Sequence, residues 1–119
     1  MAFTISLVAA AWSFSLLGSA LPDGAAQAGA RPSFSCAKAS TASERMICRD
    51  AELARLDRIT SDLFAQTLSL LLNSEQRMHA NQTQRAWLTT RNRCSNVQCL
   101  RQAYFGRISD LAGELPTGS

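Results

Sequence analysis

The chain has no glycine-rich phosphate loop, no paired C-x-x-C step, no block of like charge, and a single histidine and a single tyrosine. Each absence narrows its chemistry. His79 sits among Met78, Ala80 and Asn81 with no nucleophile beside it, so it reads as a surface or half-buried structural side chain, not a general base. Without a phosphate-cradling loop, nucleotide chemistry of the common kind is set aside. The four cysteines, at 36, 48, 94 and 99, match neither the redox C-x-x-C nor the paired spacing of zinc ribbons. Eleven arginines and Lys38 are interspersed with nine acids, giving a net charge of +3. That pattern favours solubility over a polybasic tail. Arginines 77, 85, 93, 101 and 107 raise a nucleic-acid reading, but few aromatic residues are available to stack on bases. The interleaved acids also argue against a cationic membrane-surface helix. The expectation is a protein that is not an enzyme and takes no cofactor, metal or nucleic acid.

What is present divides the chain in two. Ala2 to Leu21 carries no charge, though no basic residue precedes it, and the run breaks at Pro22-Asp23-Gly24. Ala26-Gln27-Ala28 and Ala28-Gly29-Ala30 then offer the small residues that a signal peptidase reads. Residues 1–28 are therefore expected to be a signal peptide, cleaved after Ala28 or Ala30. An uncleaved anchor is the alternative, but serines and a glycine dilute the apolar run, and no membrane anchor is expected after cleavage. Residues 31–115 are expected to fold as one small domain and 116–119 to form a flexible tail. Such a short domain buries little surface and gains from covalent staples.

An exported chain with four cysteines favours disulfides. Three pairings are open. Cys36 with Cys48 and Cys94 with Cys99 is preferred because each pair brackets a helix entry or corner, with crossed pairing also feasible. The domain reads as all-α throughout. Thr41-Ala42-Ser43-Glu44 is a capping box that starts a short helix to about Cys48. Asp50 caps a second helix, whose Leu53, Leu56, Ile59, Thr60, Leu63, Phe64, Leu70 and Leu71 recur at helical steps to about Leu72. Asn73-Ser74 is a turn and cap, after which Ala80, Gln84, Trp87, Leu88, Arg91 and Cys94 share one face of a third helix. Val97, Leu100, Tyr104, Ile108, Leu111 and Leu115 form the stripe of a final amphipathic helix.

The short turn near Asn73 makes the second and third helices an antiparallel hairpin. Asp57 then falls opposite Arg91 near Trp87, which reads as the centre of the core. The pair is expected to be partly buried and to fix the hairpin register. Glu44, Asp50, Glu52 and Asp57 alternate with Arg45, Arg49, Arg55 and Arg58, a pattern read as ion pairing along the helix surface. All four cysteines fall at one end of the hairpin, which is where function is expected.

These residues form a recognisable ordered string. It runs Phe34-x-Cys36-Ala37-Lys38-Ala39, Glu44-x-x-Ile47-Cys48, Leu53-x-x-Leu56-Asp57, and Gln84-x-x-Trp87-Leu88-x-x-Arg91-x-x-Cys94. Cys99-Leu100 and Tyr104-x-x-Arg107-Ile108-x-x-Leu111 complete it. The string resembles the lysozyme inhibitor LprI-like family and covers about residues 34 to 111. The resemblance implies an extracytoplasmic helical domain with cysteine pairs and, in the member that gave the family its name, inhibition of lysozyme. It brings no catalytic residues. Glu44, Asp57, Gln84, Trp87, Arg91, Tyr104 and Arg107 are expected to be structural framework. The functional expectation is a periplasmic or secreted protein-binding module with lysozyme as the partner the resemblance implies. An envelope interaction protein with another partner and a cationic surface binder are the alternatives, and the oligomeric state stays open.

Overall fold

A computed structural model describes residues 30–114. The expected signal peptide and tail lie outside the described residues. A single 3-10 turn, Cys36–Lys38, leads into α1 (Ala42–Arg49), α2 (Ala51–Leu70), α3 (Ser74–Asn92) and α4 (Val97–Glu114). The domain is all-α and stapled by two disulfides.

Each helix starts where a polar side chain can satisfy otherwise unbonded amides. At α1, the Thr41 hydroxyl accepts from the Glu44 amide (3.0 Å) while the Glu44 carboxylate accepts from the Thr41 amide (3.2 Å). The Asp50 carboxylate accepts from the Leu53 amide at α2 (3.0 Å). Asn73 Oδ1 accepts from Glu75 and Gln76 at α3, and Asn96 Oδ1 accepts from the Cys99 amide (2.8 Å) at α4. The end of α2 is closed from across the turn. Arg77 Nη1 donates to the carbonyls of Leu68 (2.6 Å) and Leu71 (3.3 Å), placing a cation on the negative end of the helix.

Cross-helix bonds fix the topology. Glu52 meets Arg101 and Asp57 meets Tyr104, so numbers rise together and α2 and α4 run parallel. Trp87 meets Ala103 and Gln84 meets Arg107, so α3 runs antiparallel to α4. The result is an up-down-up bundle with α1 across one end. α2 is packed far more extensively on α4 than on α3, its neighbour in sequence. Short connections select the partner in the chain, but the apolar stripe of α4 supplies more surface to bury.

Ile47, Leu53, Leu56, Cys94, Leu100 and Tyr104 make the core cluster, with Phe34, Met46, Trp87 and Ile108 packed around it. Tyr104, not Trp87, is its centre. Tyr104 is fully buried, whereas Trp87 is half-buried and meets it edge-on at 5.4 Å between ring centroids. The indole Nε1 donates to the Ala103 carbonyl (3.2 Å), and that tether holds Trp87 at the α3–α4 seam. The stripe of α2 is buried at Leu53, Leu56 and Thr60, but Ile59 and Leu70 face solvent.

Cys36 is bonded to Cys48 and Cys94 to Cys99, with Cα separations of 5.8 and 5.5 Å. One bridge ties the entry segment to α1, and the other closes the α3–α4 corner. Both suit an oxidising compartment. Among the described residues, no helix is long and apolar enough to cross a membrane.

Candidate functional site

The stapled end holds a buried polar network. Arg91 Nη1 donates to Asp57 Oδ1 (3.2 Å), and the Tyr104 hydroxyl donates to the same oxygen (2.8 Å). The other oxygen accepts from the amide (2.7 Å) and the hydroxyl (2.6 Å) of Ser33. The Arg91 and Asp57 side chains are only 5% and 4% exposed, deeper than the partial burial expected. The Arg91 guanidinium lies between the rings of Phe34 and Trp87, 5.7 and 5.9 Å from their centroids. Its remaining donors reach Asn92 Oδ1. Ser43, fully buried, donates to the carbonyls of Arg91 (3.1 Å) and Cys94 (2.9 Å). That bond closes the end of α3 and docks α1 on it.

Four donors occupy the Asp57 carboxylate, about as many as its lone pairs can accept, so the network holds the entry segment, α2, α3 and α4 together. Burial raises the Tyr104 pKa well above its ordinary value; the Asp57 charge adds to the rise, and Arg91 opposes it. Glu44 is equally engaged in structure. Its slight burial raises its pKa, but the bonds from Thr41 and Ser40 outweigh this and leave the carboxyl below its usual range.

The alternating charges on α1 and α2 do not pair along the helices. Glu44 and Asp50 are caps, Asp57 takes Arg91, and Glu52 forms a bidentate bridge to Arg101 on α4 at 3.1 and 2.6 Å. Among the interleaved arginines, Arg45 donates to the Ser40 carbonyl and Arg58 to the Pro32 carbonyl. Glu44, Asp50, Glu52 and Asp57 each find a capping or tertiary partner, which the sequence pattern of a helix face does not reveal.

The opposite end of the bundle is open. Between α2, α3 and α4 lies a cleft of about 600 Å³, lined by Phe64, Thr67 and Leu70 of α2, by Leu71 just past its end, by residues of α3 between Glu75 and Thr83, and by Arg107 and Glu114 of α4. His79 is exposed on its wall. Arg107 is 6% exposed, and its Nε donates to Gln84 Oε1 (3.0 Å). Sequence reasoning placed Gln84 and Arg107 in the framework, and they are bonded to each other there. It missed the cleft and looked for function at the cysteine end. The hairpin tip is also apolar: Leu70, Leu72 and Met78 are 54%, 96% and 56% exposed.

The framework residues thus divide between the two ends. Asp57, Trp87, Arg91 and Tyr104 meet in one network, Glu44 stands apart as a cap, and Gln84 and Arg107 sit toward the cleft. Ser33 and Ser43 were not found from sequence. Their roles depend on contacts to residues far along the chain, and isolated serines carry no local signal. Among the described residues, no group of histidine, cysteine or carboxylate side chains is placed to hold a metal ion. No family model, curated protein or solved structure matches this chain.

Proposed function

We propose that this domain is an extracytoplasmic protein-binding module, secreted or periplasmic, that presents the α2–α3 turn to its partner. The observation that carries this reading is Leu72, 96% exposed on a turn that is not slack. Arg77 pins the end of α2 from one side of the turn, and Asn73 caps α3 on the other. An apolar side chain held out on an ordered turn loses little conformational freedom when a partner covers it, which favours recognition. Leu70 and Met78, also exposed, extend the apolar surface beside it.

The disulfides and the signal-peptide-like leader support export. The resemblance of the motif string to the LprI-like family makes lysozyme the first partner to test. Lysis of bacterial cell walls by lysozymes of several types, with the oxidised protein in molar excess, is expected to slow. Leu72→Ser is expected to restore lysis while leaving the melting temperature within the small range of surface substitutions. Undiminished lysis by every lysozyme would remove the inhibitor reading. Inhibition unchanged by Leu72→Ser would move the contact away from the turn.

A further inference from the structure

We propose that the cleft between α2, α3 and α4 binds a single-chain amphiphile with a carboxylate head, of the fatty-acid kind, independently of the protein-binding reading above. The observation is Arg107. It is 94% buried, the complement of its 6% exposure, and it lines the cleft. The two ion pairs among the described residues are Asp57–Arg91 and Glu52–Arg101, so no described carboxylate neutralises it. Gln84 takes its Nε, and the described residues supply no acceptor for Nη1 or Nη2. Among the described residues no buried side-chain nitrogen lacks a partner, so these two nitrogens are open to the cleft and within reach of a ligand there. Its two remaining nitrogens offer the parallel donors that suit a carboxylate.

The rest of the cleft sets the orientation of the ligand. Arg107 is level with Gln84, to which it is bonded, at the inner end. Glu75 and Glu114 line the outer end, seven residues further along α4 in the case of Glu114, or about 10 Å at helical rise. The walls between carry the apolar Phe64, Leu70, Leu71 and Ala80 beside uncharged Thr67, Gln76 and Thr83 and the exposed His79. An anionic head is attracted at the inner end and repelled at the mouth, so the carboxylate goes inward and the chain lies along the side of the cleft formed by Phe64, Leu70, Leu71 and Ala80. The volume, about 600 Å³, falls within the range of small-molecule sites. Dicarboxylates and phosphodiesters would bring a second charge or a bulkier head against those walls.

Calorimetric titration of the oxidised protein with dodecanoate, below its micelle concentration, tests the assignment against dodecanol and dodecyltrimethylammonium. Dodecanoate is expected to saturate one site and to bind at least about 10-fold more tightly than dodecanol, the factor a charge-assisted bond supplies. The cation is expected not to bind. Arg107→Met, which removes the charge but keeps much of the volume, should erase the preference for dodecanoate. Ala80→Trp, which leaves Arg107 in place and fills the cleft, should abolish binding. Equal affinity for acid and alcohol, no binding of dodecanoate, or binding unaffected by Ala80→Trp would overturn the proposal. So would saturation only by an apolar peptide with a free terminal carboxylate, or a concentration-dependent dimer that Ala80→Trp dissolves.

Discussion

The two ends of this bundle use arginine in opposite ways. At the stapled end, Arg91 is buried against a carboxylate, two aromatic rings and an asparagine, with two disulfides nearby. At the hairpin end, Arg107 is buried beside one glutamine and faces an open cleft. A domain of this size has little net stability to distribute. Concentrating the satisfied contacts at one end lets the other keep an unfilled cleft and exposed leucines without losing the fold.

The stapled end is most sensitive to substitution at Asp57 and Arg91. Removing either charge leaves its partner buried and uncompensated, and Asp57→Asn or Arg91→Gln is expected to cost about 3–5 kcal/mol in urea denaturation. The double variant should lose much less than the sum, because one interaction is being removed twice. Additive losses would show that the stapled end does not depend on this pair.

Next in size are the disulfides. Cys36–Cys48 spans 12 residues and Cys94–Cys99 spans 5. Loop entropy then predicts losses of about 3 and about 2 kcal/mol when each pair is replaced by alanine. A reversed order in denaturant melts would place the more important staple at the α3–α4 corner.

Alkali gives a smaller and graded test. The folded-state pKa of Tyr104 is raised by burial and by Asp57, so the unfolded chain loses its phenolic proton first. Stability from this group is fully present below the unfolded value near 10 and declines above it, by about 1.4 kcal/mol per pH unit, until the folded group itself ionises. The chain has one tyrosine, so tyrosinate absorbance reports this residue alone. It should appear together with loss of helical circular dichroism; ionisation of the intact helical fold would contradict the network.

The smallest effect belongs to the cleft end. Gly113 lies in the last turn of α4 with open space where a Cβ would stand. Gly113→Ala is expected to stabilise by about 0.5–1 kcal/mol in thermal melts, since alanine restricts the unfolded chain and favours helix. Destabilisation would mean that this turn needs the freedom of glycine.

The helix starts were legible because capping is local: Thr41, Asp50 and Asn73 act within three residues of themselves. The Asp57–Arg91 register was legible too, because a short turn constrains which residues face each other. Three features were not. The extensive packing of α2 on α4 depends on matching apolar area between helices separated in sequence. Tyr104 displaced Trp87 from the core centre because its hydroxyl can reach Asp57 in the interior, while the indole nitrogen finds its acceptor at the seam. The cleft is bounded by three helices at once, a geometric property with no residue signature. Arg107 hinted at it only as a basic residue within an apolar stripe.

Native-state hydrogen exchange on the oxidised protein tests the division between the two ends most directly. The slowest exchange, opening only with global unfolding, is expected at amides from Leu53 to Thr60 and from Leu100 to Tyr104, and faster, sub-global opening from Glu75 to Thr83 and in the last turn of α2. Uniform protection along α2 and α3, or stronger protection at the hairpin end than at the stapled end, would contradict it.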